Sequence, residues 1–203
     1  MLSLHSAAMT FAPAAPLARA SRASVSMMAK SESMPFMDCP PALDGSLAGD
    51  VGFDPLGLSN IGIPMGWMRE AELKHGRVCM LATVGWISTD LGTRAPGLPA
   101  DSPLMGVTSY TAHDAAVQQG SLLVLLIACG VFEIAGYGAI AATLKGERDA
   151  GDFALTGGFG KTADEMSRMK LAEIKHSRLA MMAFSGIATQ SAIAHGEVGF
   201  PYF

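Results

Sequence analysis

The chain has 203 residues, of which 50% are hydrophobic and 16% are charged, and its formal net charge is -4. The mean hydropathy of +0.32 is high for a soluble domain and indicates a membrane protein. The negative net charge gives no electrostatic basis for binding nucleic acid. The three cysteines form no Cys-x-x-Cys pair, so neither a disulfide framework nor a thiolate zinc site is indicated.

The N-terminal segment is predicted to be a targeting sequence and not part of the fold. Residues 1–29 contain no Asp or Glu and are rich in Ala, Ser and Met, a composition typical of an organelle presequence. Pro13 and Pro16 interrupt the apolar stretch that a secretory signal needs. We therefore expect an organelle targeting presequence over residues 1–29 and one helical domain over residues 30–203.

Three apolar segments follow a tract rich in Pro and Gly, and each predicts a helix. The middle segment is the clearest, because Glu133 is the only charge between Asp114 and Lys145. About 30 residues form a helix of about 45 Å, which is enough to cross a bilayer. The outer two segments reach that length only if charged residues lie inside the helix. The predicted fold is an all-α membrane protein with three transmembrane helices, over about residues 64–92, 115–144 and 163–194.

The two outer helices begin with the same unusual pattern, repeated 101 residues apart. A charge at membrane depth costs about 2.5–3.5 kcal/mol, so these charges need partners. The Glu and Arg of each copy are five residues apart, about 140° around a helix, and cannot pair well within it. We therefore expect the first and third helices to cross as a pseudo-two-fold pair, each Arg binding the Glu of the other copy. The copies are Glu72-Leu-Lys-His75-Gly-Arg77 and Glu173-Ile-Lys-His176-Ser-Arg178.

The basic residues of the loops predict an orientation. The connection between the second and third helices carries five Lys or Arg residues, whereas the connection between the first and second carries Arg94 alone. Because positive charge stays on the stromal or cytoplasmic side of a membrane, the N-terminus is predicted to lie on the stroma-like or cytoplasm-like side.

Three interpretations of the repeated pattern compete. Paired Glu-x-x-His motifs occur in carboxylate di-iron bundles, but this chain is one helix and one carboxylate short, and the arginines would repel a cation. Alternatively, the ion pairs only join helices, which leaves the recurring His and an unpartnered Glu133 unexplained. The third interpretation is axial ligation of the magnesium of chlorophyll, because an Arg-paired Glu offers oxygen at a neutral site. Gln190 lies on the face of His176, about 21 Å further along the helix, as a second ligand or as an interhelical hydrogen-bonding group.

The doubled motif, together with the loop Phe53-Asp54-Pro55-Leu-Gly, resembles the light-harvesting chlorophyll-binding protein superfamily. The resemblance extends from about Pro35 to the C-terminus. The tract Met34–Gly57 and the segments Ala112-His-Asp and Gly146-Glu-Arg resemble the red-lineage branch, with chlorophyll a/c, fucoxanthin-type and red-algal-type photosystem I antennae. The N-terminal Ala-Met-Thr-Phe-Ala-Pro is similar to the bipartite plastid signals of algae with complex plastids.

The resemblance implies a role for particular residues. Arg77 and Arg178 match the interhelical ion-pair arginines of the family. His176 stands where green-lineage relatives often have Asn, and the family's C-terminal amphipathic helix is short or absent here. Further candidate ligands are His113, for which simple solvation is the alternative, and His195. The implied magnesium ligands are Glu72, His75, Glu133, Glu173, His176 and Gln190, and the implied carotenoid end-group loops contain Phe53, Asp54, Pro55, Asp152 and Phe153.

The function implied is that of a light-harvesting antenna and not of an enzyme. The expected cofactors are chlorophyll a, chlorophyll c and carotenoids of the fucoxanthin or diadinoxanthin type, with magnesium only as part of chlorophyll. The expected partners are a photosystem core, with photosystem I favoured, neighbouring antenna subunits and thylakoid lipids. The expected location is the plastid thylakoid membrane, crossed several times. The alternatives are a photoprotective, energy-dissipating member of the superfamily and, remotely, a di-iron carboxylate oxidase.

Overall fold

The structure, a computed structural model, describes residues 30–94, 96–154, 157–158, 160, 162–197 and 199–201. The predicted presequence, residues 1–29, lies outside the described residues. The part of the chain that is described is helical and contains no strand. Its elements are a short 3-10 helix at Leu58–Asn60 and the helices α1 (Met65–Asp90), α2 (Ser109–Gln119), α3 (Ser121–Lys145) and α4 (Ala163–Ile193).

The two long helices α1 and α4 form the centre of the fold and pack on each other more extensively than any other pair. They cross where Gly76 meets Ser177, the residues at the same position of the two repeats. A Cβ atom on Gly76 would lie 2.2 Å from the Cβ atom of Ser177, far inside van der Waals contact. Ser177 and the neighbouring Ile174 are almost completely buried. The missing side chain of Gly76 therefore sets the close approach of the two helices.

The predicted middle helix, residues 115–144, is wrong at its start. The chain forms two helices here, and Gly120 separates them with a left-handed φ of 80° that a residue with a side chain rarely adopts. The polar helix α2 is held to the end of α1, because the amide of Ser109 donates to Asp90 Oδ1 at 2.7 Å and its hydroxyl donates to the Trp86 carbonyl at 2.6 Å. The prediction started the middle helix directly after Asp114, the last charged residue before the apolar segment. The predicted helix therefore included Gly120, where the chain breaks.

The apolar helix α3 packs on α1 and exposes most of its surface. Among the described residues it is the one helix that is long and apolar enough to cross a bilayer by length and composition. None of its most apolar window is buried inside the protein. A membrane crossing by α1 and α4 stays a prediction, because each carries charged residues in its N-terminal half.

Candidate functional site

Two ion pairs join α1 and α4 on either side of the Gly76 contact. Arg77 Nε donates to Glu173 Oε1 at 2.7 Å, and Arg178 Nε donates to Glu72 Oε1 at the same distance of 2.7 Å. All four side chains are partly exposed. The structure thus brings together the Glu of each repeat and the Arg of the other, in the combination expected from their spacing.

Each arginine of these pairs also holds the loop that precedes the opposite helix. Arg77 Nη2 donates to the carbonyl of Gly151 at 2.9 Å, in the loop before α4. Arg178 Nη1 donates to the carbonyl of Gly49 at 3.0 Å, in the tract before α1. One guanidinium therefore binds a carboxylate and a backbone carbonyl at once, which fixes both the helix crossing and the approach of a loop.

The two loop glycines fit where no side chain could. Gly49 and Gly151 have φ values of 71° and 75°, in the left-handed region that favours glycine. A Cβ on Gly151 would lie 2.5 Å from Leu73 Cδ1, and a Cβ on Gly49 would lie 2.8 Å from Ile174 Cγ2. Leu73 and Ile174 occupy the same position of the two repeats, so the duplication extends from the helices to the loops that cover them.

The two motif histidines are arranged alike. His75 Nδ1 lies 2.8 Å from the carbonyl of Ala71, and His176 Nδ1 lies 2.8 Å from the carbonyl of Ala172. A carbonyl oxygen only accepts, so Nδ1 carries a proton, and in the uncharged ring the other nitrogen, Nε2, has the lone pair. Both side chains are exposed on the helix surface. Each histidine is therefore oriented and in the tautomer that can bind a metal through Nε2.

The two motif glutamates differ in their second oxygen. Glu72 Oε2 lies 3.1 Å from Nη1 of the buried Arg69, within ion-pair range although the angle is not that of a hydrogen bond. Glu173 Oε2 has no such partner among the described residues. The expectation that each paired Glu keeps one oxygen free thus fits Glu173, whereas Glu72 lies between two arginines. The sequence reasoning overlooked Arg69, which stands three residues before Glu72 and so shares its helix face.

The interpretation of Glu133 as a carboxylate without a partner is wrong. Glu133 Oε2 on α3 forms an ion pair with Lys74 Nζ on α1. Lys74 is the middle residue of the first repeat, so the partner was already visible inside the motif. Spacing within one helix does not predict that Lys74 pairs with Glu133, because this contact depends on how α3 packs on α1.

The sequence reasoning also missed Glu70, a buried acid that holds the loop between α3 and α4. Its Oε2 accepts from Arg148 Nη2 at 3.0 Å, from the amide of Gly151 at 2.7 Å and from the hydroxyl of Thr143 at 3.3 Å. Its side chain is only 7% exposed. An acidic residue two positions before Glu72, in a helix predicted to cross a membrane, was the available signal, since a buried carboxylate requires donors.

The loop that contains Asp152 and Phe153 borders a cavity of about 700 Å³ between the two long helices. Glu173 and Arg77 also line it. The Phe153 ring lies 4.8 Å from the guanidinium carbon of Arg148 and 5.8 Å from that of Arg77, within the range of cation-π contacts. The Asp152 carboxylate accepts from the amide of Ala154 at 2.8 Å. The loop is therefore held by charged groups on two sides and presents an aromatic wall to the cavity.

The other candidate loop is organised by Asp54. Its carboxylate accepts from the amide of Leu58 at 2.9 Å, the amide of Ser59 at 2.8 Å and the hydroxyl of Ser59 at 2.6 Å, and so caps the short 3-10 helix. Partial burial raises the pKa of Asp54, but these hydrogen bonds outweigh it and hold the pKa below its ordinary value of 3.8. Phe53 and Pro55 on either side are exposed.

The remaining candidates lie at the edges of this arrangement. Gln190, on α4, is exposed and its side chain makes no hydrogen bond within the described part of the chain. His113 is exposed and its Nδ1 lies 3.1 Å from Asp114 Oδ1, as for a solvated histidine. His195 follows the end of α4 with a φ of 50°. No group of three or more His, Cys, Asp or Glu side chains gathers into a metal cluster in the described segments.

Comparisons with known proteins identify the family of this chain. Residues 39–192 match the family described as chlorophyll A-B binding protein. The chain is 32% identical over 181 residues to photosystem I chlorophyll a/b-binding protein 5 of Arabidopsis thaliana, a match that covers 80% of this chain and 70% of the relative. It is 33% identical over 176 residues to chlorophyll a-b binding protein CP24 10B of Solanum lycopersicum, covering 71% of this chain and 66% of the relative.

A third relative comes from an alga. The chain is 32% identical over 160 residues to the light-harvesting complex I LH38 proteins of Euglena gracilis, covering 78% of this chain and 26% of the Euglena sequence. The chain thus spans about two thirds of the length of the two plant relatives. The family match includes both repeats, the Asp54 loop and Gln190. This chain therefore belongs to the chlorophyll a/b-binding protein family, a family of light-harvesting pigment-binding proteins.

Proposed function

We propose that this chain is a light-harvesting antenna of the plastid thylakoid membrane that passes excitation energy to a photosystem, with photosystem I favoured. Bound chlorophylls and carotenoids supply the light absorption and the energy transfer. The observation that carries the proposal is the pair of oriented and exposed histidines, each beside an arginine-paired glutamate. Two relatives are named photosystem I chlorophyll a/b-binding proteins, which supports that partner.

The protein's own contribution in this proposal is to hold ligands at defined positions. His75 and His176 offer neutral nitrogen ligands, and the chain also has carboxylate oxygens, which magnesium prefers. Glu173 offers Oε2 while Arg77 neutralises its charge. The cavity beside Phe153 and the loop capped by Asp54 are open to the end groups of two carotenoids. The proposed ligand set is Glu72, His75, Glu133, Glu173, His176 and Gln190, with His113 and His195 as further candidates.

The membrane arrangement belongs to the same proposal. We infer that α1, α3 and α4 all cross the bilayer and that α1 and α4 are related by a pseudo-two-fold axis near Gly76. The reciprocal ion pairs support it, because they neutralise four charges that would otherwise be costly at membrane depth. The five Lys and Arg residues from position 145 to position 170, against Arg94 alone in the connection after α1, support a stromal N-terminus. We further propose that residues 1–29 are a plastid presequence.

The finer pigment assignment rests on the resemblance to the red-lineage branch. We propose chlorophyll a and chlorophyll c, with a xanthophyll of the fucoxanthin or diadinoxanthin type. Extraction of the protein purified from thylakoids, followed by chromatography, tests this directly. Chlorophyll b in place of chlorophyll c would contradict the red-lineage assignment and leave the antenna function intact.

The antenna function is tested by fluorescence of the purified complex. Excitation of the carotenoid band should produce chlorophyll a emission, and the fluorescence lifetime should be similar at neutral and acidic pH. Absence of bound pigment would refute the proposal. Strong quenching at acidic pH would instead support the photoprotective alternative.

The ligand role of the histidines is tested by reconstitution. His75→Leu should assemble with about one chlorophyll fewer, because each Nε2 serves one magnesium. An unchanged ratio of pigment to protein would refute ligation by His75.

A further inference from the structure

The ion pair between Lys74 and Glu133 connects α1 with α3 and lies apart from the pairs that connect α1 with α4. Both side chains are about half exposed, at 47% and 57%. Glu133 is the only charged residue of α3 before Lys145 at its end. Lys74 binds one oxygen of this carboxylate, Oε2, and Oε1 has no hydrogen-bond partner among the described residues. One side of the carboxylate therefore remains accessible.

The second repeat offers a natural comparison. Lys175 occupies the position of Lys74, two residues after the glutamate and directly before the histidine. It is exposed and makes no ion pair within the described part of the chain. The difference follows from packing, since α3 lies against α1 and brings Glu133 to the first repeat. The same lysine position is thus paired in one copy of the repeat and unpaired in the other.

We propose that Lys74 is the positioning residue that makes Glu133 a ligand for chlorophyll. This inference rests on the proposed function. A carboxylate on the most apolar helix is costly without a countercharge. The ammonium group of Lys74 supplies that countercharge from the neighbouring helix and holds Oε2, so that Oε1 faces outward for magnesium.

With this role for Lys74, α1 takes part in each of the three proposed carboxylate ligand sites. Its Arg77 neutralises Glu173 on α4, its own Glu72 receives Arg178, and Lys74 neutralises Glu133 on α3. Each carboxylate then has a cation on a neighbouring helix, and Glu72 also has Arg69 of its own helix. A ligand site can form only after the helices have packed, which couples pigment binding to assembly.

The test is reconstitution of the full chain with pigments, measuring the ratio of chlorophyll to protein and the absorption difference spectrum against the unmodified chain. Glu133→Leu removes the ligand and defines the spectrum of that site. Lys74→Met should lose about one chlorophyll and produce the same difference spectrum. Lys175→Met, the matched control, should not produce that spectrum, because its lysine has no carboxylate partner within the described segments.

A double variant separates a countercharge from a simple helix contact. Lys74→Met with Glu133→Gln should recover the lost chlorophyll, since Gln is a neutral oxygen ligand that needs no cation. If Lys74→Met alone fails to assemble, recovery of assembly in the double variant supports the inference and continued failure overturns it. A double variant that assembles but stays one chlorophyll short also overturns it.

Two other results bear on the same question. Full pigment content in Lys74→Met would refute the role of the lysine while Glu133→Leu still reports on the site. If the unmodified chain bound no chlorophyll, the proposed function would fail first. The two failures are therefore distinguishable.

Discussion

Replacing Gly76 by Ala tests how closely α1 and α4 must approach. The new Cβ would lie 2.2 Å from Ser177 Cβ and 2.9 Å from Ser177 Cα, whereas carbon atoms pack best at about 3.5–4.0 Å. The obstruction is backbone and Cβ, so no change of rotamer relieves it. We expect the helices to separate by roughly 1–2 Å at the crossing.

That separation acts on the ion pairs beside the crossing. Their N–O distances are 2.7 Å, so a further separation of about 1 Å takes them beyond hydrogen-bond range. Overpacking of this kind costs roughly 1–3 kcal/mol. For a chain of this length the cost corresponds to a fall in Tm of roughly 2–12 °C.

The assay is thermal loss of pigment circular dichroism in the reconstituted complex. Gly85→Ala is the matched control, because it lies on the same helix and its Cβ would have no neighbour within 4 Å among the described residues. Gly76→Ala with Ser177→Gly moves the side chain to the other helix and should recover part of the loss. A Tm for Gly76→Ala equal to that of Gly85→Ala would refute the close-approach argument.

Three further predictions concern charged groups. Arg77→Leu should lower the yield of reconstituted complex more than Arg178→Leu. Glu173, the partner of Arg77, has no second cation among the described residues, whereas Glu72, the partner of Arg178, also has Arg69. Equal yields would contradict the difference between the two pairs. Glu70→Ala should expose the loop after α3, since it removes the acceptor of Arg148 and of a buried amide at about 1–3 kcal/mol each, and trypsin should then cleave after Arg148 faster than in the unmodified chain. Because the pKa of Asp54 is lowered, its contribution to stability is present above pH 3.8 and is lost as the pH falls through the lowered pKa. Hydrogen exchange at the amides of Leu58 and Ser59, which Asp54 caps, should rise as the pH falls through that value. Asp54→Asn should remove this pH dependence.

Several features of the site could be derived from residue spacing. The separation of Glu72 and Arg77 by five residues rules out a good pair within one helix, and the second copy supplies the only equivalent partners. The structure has Arg77 with Glu173 accordingly. The bounds of the outer helices also lie close to those expected, because long periodic segments with clear limits are the easiest to recognise. α4, for example, has a capping box in which Thr162 accepts from the amide of Glu165.

The middle segment shows where that reasoning stops. The apolar run up to Lys145 predicts a spanning helix, and α3 has the expected end. Its start depends on Gly120, and a glycine within a helical pattern is compatible with either a continuous helix or a break. The break is decided by the attachment of Ser109 to the end of α1, a contact between residues that are distant along the chain.

The sequence by itself determined that the charges of the duplicated motif must be paired between two helices, because helix geometry forbids them from pairing locally. Which lysine pairs with Glu133, and that Arg69 and Glu70 lie buried beside the motif, depended on the tertiary structure. The physical reason is the same in each case. A periodic pattern defines which face a residue occupies, whereas its partner is set by the neighbouring helix or loop that packs on that face.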